Sequence, residues 1–450
     1  MAITQASQSR KMRQTLADAF ALPDVRKRIF FVFWVFAAYV ACIFIPLPGV
    51  DRQALQNVFG GQAGNGLLDL VNAFAGGALK RVSIIGLGIM PYINASIIFQ
   101  LLTIAVPSLE RLQREEGEYG RKKIAQYIRW TTMGLALVQG FGLIHLLSAQ
   151  RVVAAGLMSK LEMALTLAAG TAFLMWIAEE LTEKGIGNGV SMIIFAGIMC
   201  TMPQQVAQTW AQMHAGSIKL VNVLFLVVCL IAIIALVIYV QQAQRRIRVQ
   251  YAKRVVGHRI YGGHSSFLPL RVNAAGVIPI IFAISVFMFP ATIASYMPVE
   301  NLPLLGEFRW KIVQSWIMDF NPGTDKAGVL AALVYFILVV VFTYFYTAVN
   351  FKPSEIADNL KKNGGFIPGI RPGAPTAHHL DRLMQRITLP GALFLGLIAL
   401  TPYYLPVLTN VHTFSLVGGT SLLIVVGVAM DTMQQMETHL LMRNYEGFLK

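Results

Sequence analysis

The sequence predicts an all-α, polytopic membrane protein of ten transmembrane helices in two inverted five-helix halves around a central site. Three observations carry that prediction. Residues of the AVILMFWYC set make up 56% of the 450 and charged residues only 13%, with a mean hydropathy of +0.59, a composition that soluble domains of this size do not show. Apolar runs of the roughly 20 residues needed to cross a hydrocarbon core about 30 Å thick recur along the chain. Two of those runs, the second and the seventh, carry matching Gly/Pro interruptions.

The first run, 29–48, follows a polar segment, 1–28, that ends in Arg26, Lys27 and Arg28 and offers no small-residue cleavage site; it reads as a retained span. The others fall at 82–106, 124–148, 163–183, 186–206, 219–240, 272–297, 328–350, 387–408 and 414–435. Span two contains Gly86, Gly88 and Pro91, and span seven contains Gly276 and Pro279. Halves of five helices insert in opposite orientations, and paired interruptions point to an inverted repeat with its site between the halves. The halves are then 29–213 and 214–435, with a tail at 436–450.

The formal charge of +15 is concentrated between spans. Arg111, Arg114, Arg121, Lys122 and Lys123 precede span three; Arg245, Arg246, Arg248, Lys253, Arg254, Arg259 and Arg271 lie between spans six and seven; Lys352, Lys361, Lys362, Arg371, Arg382 and Arg386 lie between eight and nine. The opposite side holds only about nine Lys and Arg, which places both termini in the cytoplasm by the positive-inside rule. Residues 241–271 hold seven basic and no acidic residues, and 351–386 hold six basic and three acidic around Pro368-Gly369-Ile370-Arg371-Pro372-Gly373. Loops of this size and charge suit either a docking surface for a polyanion or acidic protein, or topology control with anionic lipid headgroups bound.

Between spans one and two, residues 65–79 include Leu67, Leu70, Val71 and Phe74 on one helical face, bracketed by glycines. Too short to cross, this segment either folds back into a cavity between the halves or lies on the membrane surface.

Catalysis is not expected. The central turns of the spans hold almost no Asp, Glu, Lys, Arg or His; His145, Glu179, Glu180, His412 and Asp431 lie near span ends. That argues against a proton-coupled transporter and an intramembrane hydrolase, and HExxH, GxSxG and Walker A motifs are absent. Cys42, Cys200 and Cys229 have no metal-ligand spacing, so no metal or cofactor is expected. The span centres offer isoleucine instead: Ile89 and Ile93 in interrupted span two, Ile281 in interrupted span seven, Ile194 and Ile198 in span five, and Ile424 in span ten. Singly, each fits packing or lipid contact. Together in a ring, such stiff apolar side chains would form a hydrophobic constriction.

The stretch Leu87-Gly88-Ile89-Met90-Pro91-Tyr92-Ile93-Asn94, the run Gly185-Ile186-Gly187-Asn188-Gly189, and Gln244-Arg245-Arg246 with Tyr251-Ala252-Lys253-Arg254 resemble segments of the SecY family, as do Asn359-Leu360-Lys361-Lys362 and Gly418-Gly419-Thr420-Ser421. The resemblance implies two halves around a central pore through which unfolded polypeptides cross the bacterial inner membrane. It implies a pore ring at Ile89, Ile93, Ile194, Ile198, Ile281 and Ile424 and a plug around 65–79. It further implies a lateral gate of spans two and seven, helped by three and eight, with polar positions Gln100, Asn188 and Asn273, through which signal peptides and other hydrophobic segments of nascent polypeptides reach lipid. Lys253, Arg254, Arg259 and Arg371 match basic positions that meet the ribosome or the motor ATPase SecA, whereas His258 stands where the family often has Arg. SecE-like and SecG-like small subunits are the implied membrane partners.

Overall fold

The computed structural model describes residues 23–50, 76–114, 117–149, 152–153, 156–251, 254–256, 259–261, 265–296, 326–411 and 419–447. In chain order these form α1 (Pro23–Phe44), α2 (Met90–Ala105), α3 (Pro107–Arg114), α4 (Gly117–Ala149), α5 (Leu157–Lys184), α6 (Gly189–His214), α7 (Leu220–Gln242), β1 (Gln244–Tyr251), β2 (Arg254–Val256), β3 (Arg259–Tyr261) and β4 (Ser265–Arg271). They continue as α8 (Ile278–Tyr296), α9 (Lys326–Asn350), α10 (Pro353–Lys362), β5 (Gly365–Phe366), α11 (Ala374–Thr409) and α12 (Gly419–Gly447). A helix overlaps each of the ten apolar runs. Among the described residues six helical stretches are long and apolar enough to cross a membrane, and Met90–Ala105 and Ile278–Phe287 are shorter apolar helices.

The chain divides into two compact units. The first comprises Met1–Ser217, Phe289–Met318 and Gly427–Lys450, the second Ile218–Met288 and Asp319–Val426. In the first unit α5 is the central element: α4 and α6 pack along it and α1 and α2 touch it. Its apolar layer joins Leu47, Val82, Leu87, Ile144, Leu147, Met163 and Leu167.

The second span differs from the sequence expectation of a helix over 82–106. Residues 76–89 form irregular turns, with Gly88 at φ +59, and the helix starts only at Met90, with Pro91 in its first turn. Proline is tolerated there because that position has no intrahelical acceptor to lose. The irregular stretch is stitched to the segment after α1 by Leu47 N–H to Val82 O (2.9 Å) and Ile84 N–H to Ile45 O (3.1 Å). Ala78, Leu79, Val82, Ser83 and Ile85 are all buried, the condition under which non-helical backbone persists at membrane depth. Span seven behaves alike: Gly276 has φ +65, and α8 begins at Ile278 with Pro279 second.

In the second unit α9 and α7 pack on α11. Helix α7 is apolar on every side and buries only Leu226 and Val237, while Leu224, Phe225, Val228 and Ile231 are exposed, the character of a helix facing lipid. The basic segment 241–271, expected as a loop, is a folded sheet. β1 pairs antiparallel with β4 (Arg246↔Pro269, Arg248↔Phe267), β5 lies on its other edge, and β2 and β3 form a separate hairpin. The two-residue period turns Ile247 and Val249 inward and leaves Arg246 and Arg248 outward. Ile247, Leu270 and Ile367 meet Leu380, Met384 and Ile387 of α11. With 36 residues, α11 is longer than the roughly 20 that a span needs, and its first turns carry the sheet.

Candidate functional site

The isoleucines singled out by sequence fall on four helices. Ile89 occupies the N-cap position of α2 and is 2% exposed; Ile93, one turn on, is 7% exposed and donates its N–H to Ile89 O at 3.1 Å. Ile194 and Ile198 lie one turn apart on α6 and are equally buried. All four belong to the first unit. Ile281 is half-buried on α8, and Ile424 is buried on α12.

The start of α6 is built from its glycines. The Gly189 N–H donates to Thr182 Oγ1 of α5 at 2.9 Å, and that hydroxyl donates to Ala178 O at 2.8 Å. A Cβ at Gly189 would overlap the Ala178 carbonyl, so only glycine lets α6 begin this close to α5. Asn188, expected at the gate, is exposed and caps α6, its side-chain oxygen accepting the Ser191 N–H at 3.2 Å. Among the described residues no hydrogen bond joins it to Gln100, which is half-buried on α2 with its carbonyl accepting from Thr103 Oγ1 at 2.9 Å. Asn273, in the turn between β4 and α8, is 7% exposed, and among the described residues neither atom of its carboxamide has a hydrogen-bond partner. A buried orphan of this kind costs about 1–3 kcal/mol.

Leu67, Leu70, Val71 and Phe74 lie outside the described residues, as does Lys253. The end of the 65–79 segment is described. A Cβ added at Gly76 would sit 2.9 Å from the Gly197 Cα and 2.8 Å from the Tyr39 hydroxyl, and one at Gly77 would lie 3.6 Å from Thr201 Cγ2. Gly76 and Gly77 therefore rest on α6 beside Ile198. Next to them a cavity of about 400 Å³ opens between α1 and α6, with Phe36, Phe44, Phe195 and Met199 in its wall and the Arg81 guanidinium 4.3 Å from the Phe44 ring centre.

An ion pair joins α4 to α5. Arg129 of α4 meets Glu179 of α5 through two hydrogen bonds of 2.7 and 2.8 Å, a half-exposed pair of small energetic weight. Among the described residues no cluster of His, Cys, Asp or Glu is arranged to hold a metal. On the sheet side, Arg371 is exposed, its carbonyl held by Thr376 Oγ1 at 2.8 Å, and Arg254 and Arg259 lie on the β2–β3 hairpin. Sequence reading missed that Arg246 and Arg248 share the outer face of β1; the alternation Arg246-Ile247-Arg248-Val249 was the signal.

Comparison with known proteins agrees with this architecture. The family model of SecY matches residues 83–433. A protein translocase subunit SecY from Streptomyces galbus is 44% identical over 453 residues, covering 98% of this chain and all of the relative. Two solved structures share the fold over 92% of each chain. One is a SecY protein whose plug domain stabilises the closed state of a translocation channel (TM-score 0.64, 18% identity), the other the Sec61 of a canine ribosome–channel complex from the endoplasmic reticulum (TM-score 0.58, 16% identity). The chain belongs to the SecY family and is a multi-pass, protein-conducting channel subunit of a protein translocase.

Proposed function

We propose that this subunit moves unfolded polypeptides across the bacterial inner membrane, and releases hydrophobic segments sideways into it, as a passive pore with both termini in the cytoplasm. Ile89, Ile93, Ile194, Ile198, Ile281 and Ile424 form the constriction, and residues 65–79 are the plug. The halves 29–213 and 214–435 part along spans two and seven, where Gln100, Asn188 and Asn273 bias the gate. Interhelical hydrogen bonds in membranes contribute on the order of 1 kcal/mol, enough to bias a gate and too little to lock it. Lys253, Arg254, Arg259 and Arg371 receive SecA or a ribosome, which supplies the energy, and SecE-like and SecG-like subunits complete the complex. Signal peptides enter through the gate, and anionic lipids meet the basic loops.

One observation carries this reading. Four buried isoleucines on α2 and α6 lie in one unit, and the end of the 65–79 segment packs against α6 at Gly197, between Ile194 and the polar turn at Thr201. An apolar constriction excludes water and ions while making no specific bond to a passing chain. Replacing Ile89, Ile93 and Ile281 together by Gly is expected to raise ion leak in proteoliposomes holding the purified translocase. Conductance equal to that of the parent removes these residues from the constriction.

A further inference from the structure

Two side chains outside the isoleucine set close on the turn that opens α6. Arg28 of α1 donates from Nη1 to the Gly185 carbonyl at 2.9 Å. The Gly187 N–H donates to Oε1 of Gln435 on α12 at 2.7 Å. Gly187 holds φ +93, and a Cβ there would lie 3.2 Å from Thr432 Oγ1, one turn before Gln435. That hydroxyl donates to Val428 O at 2.7 Å and lies 3.7 Å from Met192 Sδ of α6. Val25, Ile29, Ile186 and Met436 close an apolar layer around the same turn.

Ile424, Val428, Thr432 and Gln435 form one stripe along α12: eleven residues of α-helix make three turns with about 20° to spare and advance roughly 16 Å. A bond made at position 435 therefore fixes the direction in which Ile424 points. The turn that supplies the donor also begins α6, which carries Ile194 and Ile198. We infer that Gln435 is a positioning residue: by accepting the Gly187 N–H it sets the rotational phase of α12 against α6, and with it the facing of Ile424. Filling space would need only a side chain of this size, whereas setting the phase needs the acceptor. The functional meaning of that phase rests on the reading of Ile424 as part of the constriction.

The test uses membrane vesicles holding the complete translocase, with Cys42, Cys200 and Cys229 replaced by Ala and Ile424→Cys as reporter for a water-soluble maleimide. Ile424 is 2% exposed, so labelling starts slow. Adding Gln435→Leu is expected to raise the labelling rate about fivefold, the population shift that follows loss of one neutral hydrogen bond. Gly187→Ala acts in the same direction, and Gln435→Glu, which keeps an acceptor, leaves the rate unchanged. Equal rates with and without Gln435→Leu, or an equal acceleration by Gln435→Glu, overturn the assignment. A shifted rate together with a parental leak in the isoleucine-to-glycine variant retires the constriction and keeps the clamp.

Discussion

Gly170 of α5 faces the carbonyl of Ile84, in the irregular stretch that leads to Ile89, and the Gly170→Ala variant tests how that stretch positions the isoleucine. The added Cβ would overlap the Ile84 oxygen and lie 2.8 Å from its carbonyl carbon, where ordinary contact begins near 3.4 Å. The oxygen overlaps more deeply than the carbon, so residues 83–85 must retreat by about 1 Å or more before ordinary contact is restored. They cannot do so freely, because Val82 and Ile84 are hydrogen-bonded to Leu47 and Ile45. Overpacking of this kind costs roughly 1–3 kcal/mol, or about 5- to 150-fold in an equilibrium. The expected outcome is a lower Tm in detergent and a raised ion leak in proteoliposomes, since the displaced backbone runs straight on to Ile89. Gly134→Ala is the control. Nothing lies within 4 Å of a Cβ at that site on α4, so the substitution should be neutral or should stabilise by up to about 1 kcal/mol through helix propensity. A Gly170→Ala protein with parental Tm and leak would refute the argument that this close approach fixes the start of α2.

Two further outcomes follow from the proposed function. Arg371→Glu is expected to slow SecA-driven export at least tenfold, on the order of the 1.4 kcal/mol that one charge-assisted contact contributes, while insertion of the subunit, measured by membrane fractionation, stays unchanged; normal export kinetics would remove Arg371 from the docking surface. Cysteine pairs placed on α2 and α8 and oxidised are expected to block release of a hydrophobic segment into lipid, assayed by its carbonate resistance, and undiminished release after cross-linking would place the gate elsewhere.

The spans were legible because hydrocarbon imposes one requirement, length with apolarity, that a sequence displays directly. The Gly/Pro signals at 86–91 and 276–279 were legible as breaks, but a break inside a helix and a helix that begins late have the same local composition. Contacts over a separation of dozens of residues, Leu47 with Val82 above all, decide between them. The sheet at 244–271 carried a two-residue period that the density of arginine obscured; it became a sheet because Ile247 and Leu270 found Leu380 and Met384 on the extended end of α11, a surface far away in sequence. Asn188 shows a different limit. The family resemblance implies a gate role for it, and its hydrogen bond to Ser191, three residues on, the ordinary behaviour of asparagine at a helix start, leaves that role to the gate experiments. The bond between Gly187 and Gln435 spans 248 residues and leaves no local trace in either segment.

The features that first read as defects in the spans share one physical purpose. Three of the helices bearing the singled-out isoleucines begin just after a glycine in the left-handed region: α2 after Gly88, α6 after Gly187 and α8 after Gly276. A helix start leaves its first N–H groups without intrahelical acceptors, and against lipid each such group would cost several kcal/mol. The chain reduces that cost by two means, proline at α2 and α8 and side-chain acceptors at α6. Pro91 and Pro279 remove a donor outright. Asn188 accepts from Ser191, Thr182 accepts from Gly189, and Gln435 accepts from Gly187. Caps of this kind contribute about 0.5–2 kcal/mol even where water reaches the helix start. The presence of these devices beside Ile89, Ile194 and Ile281 means that backbone, as much as side-chain apolarity, determines where these isoleucines stand. A substitution that spares every isoleucine can therefore still move them.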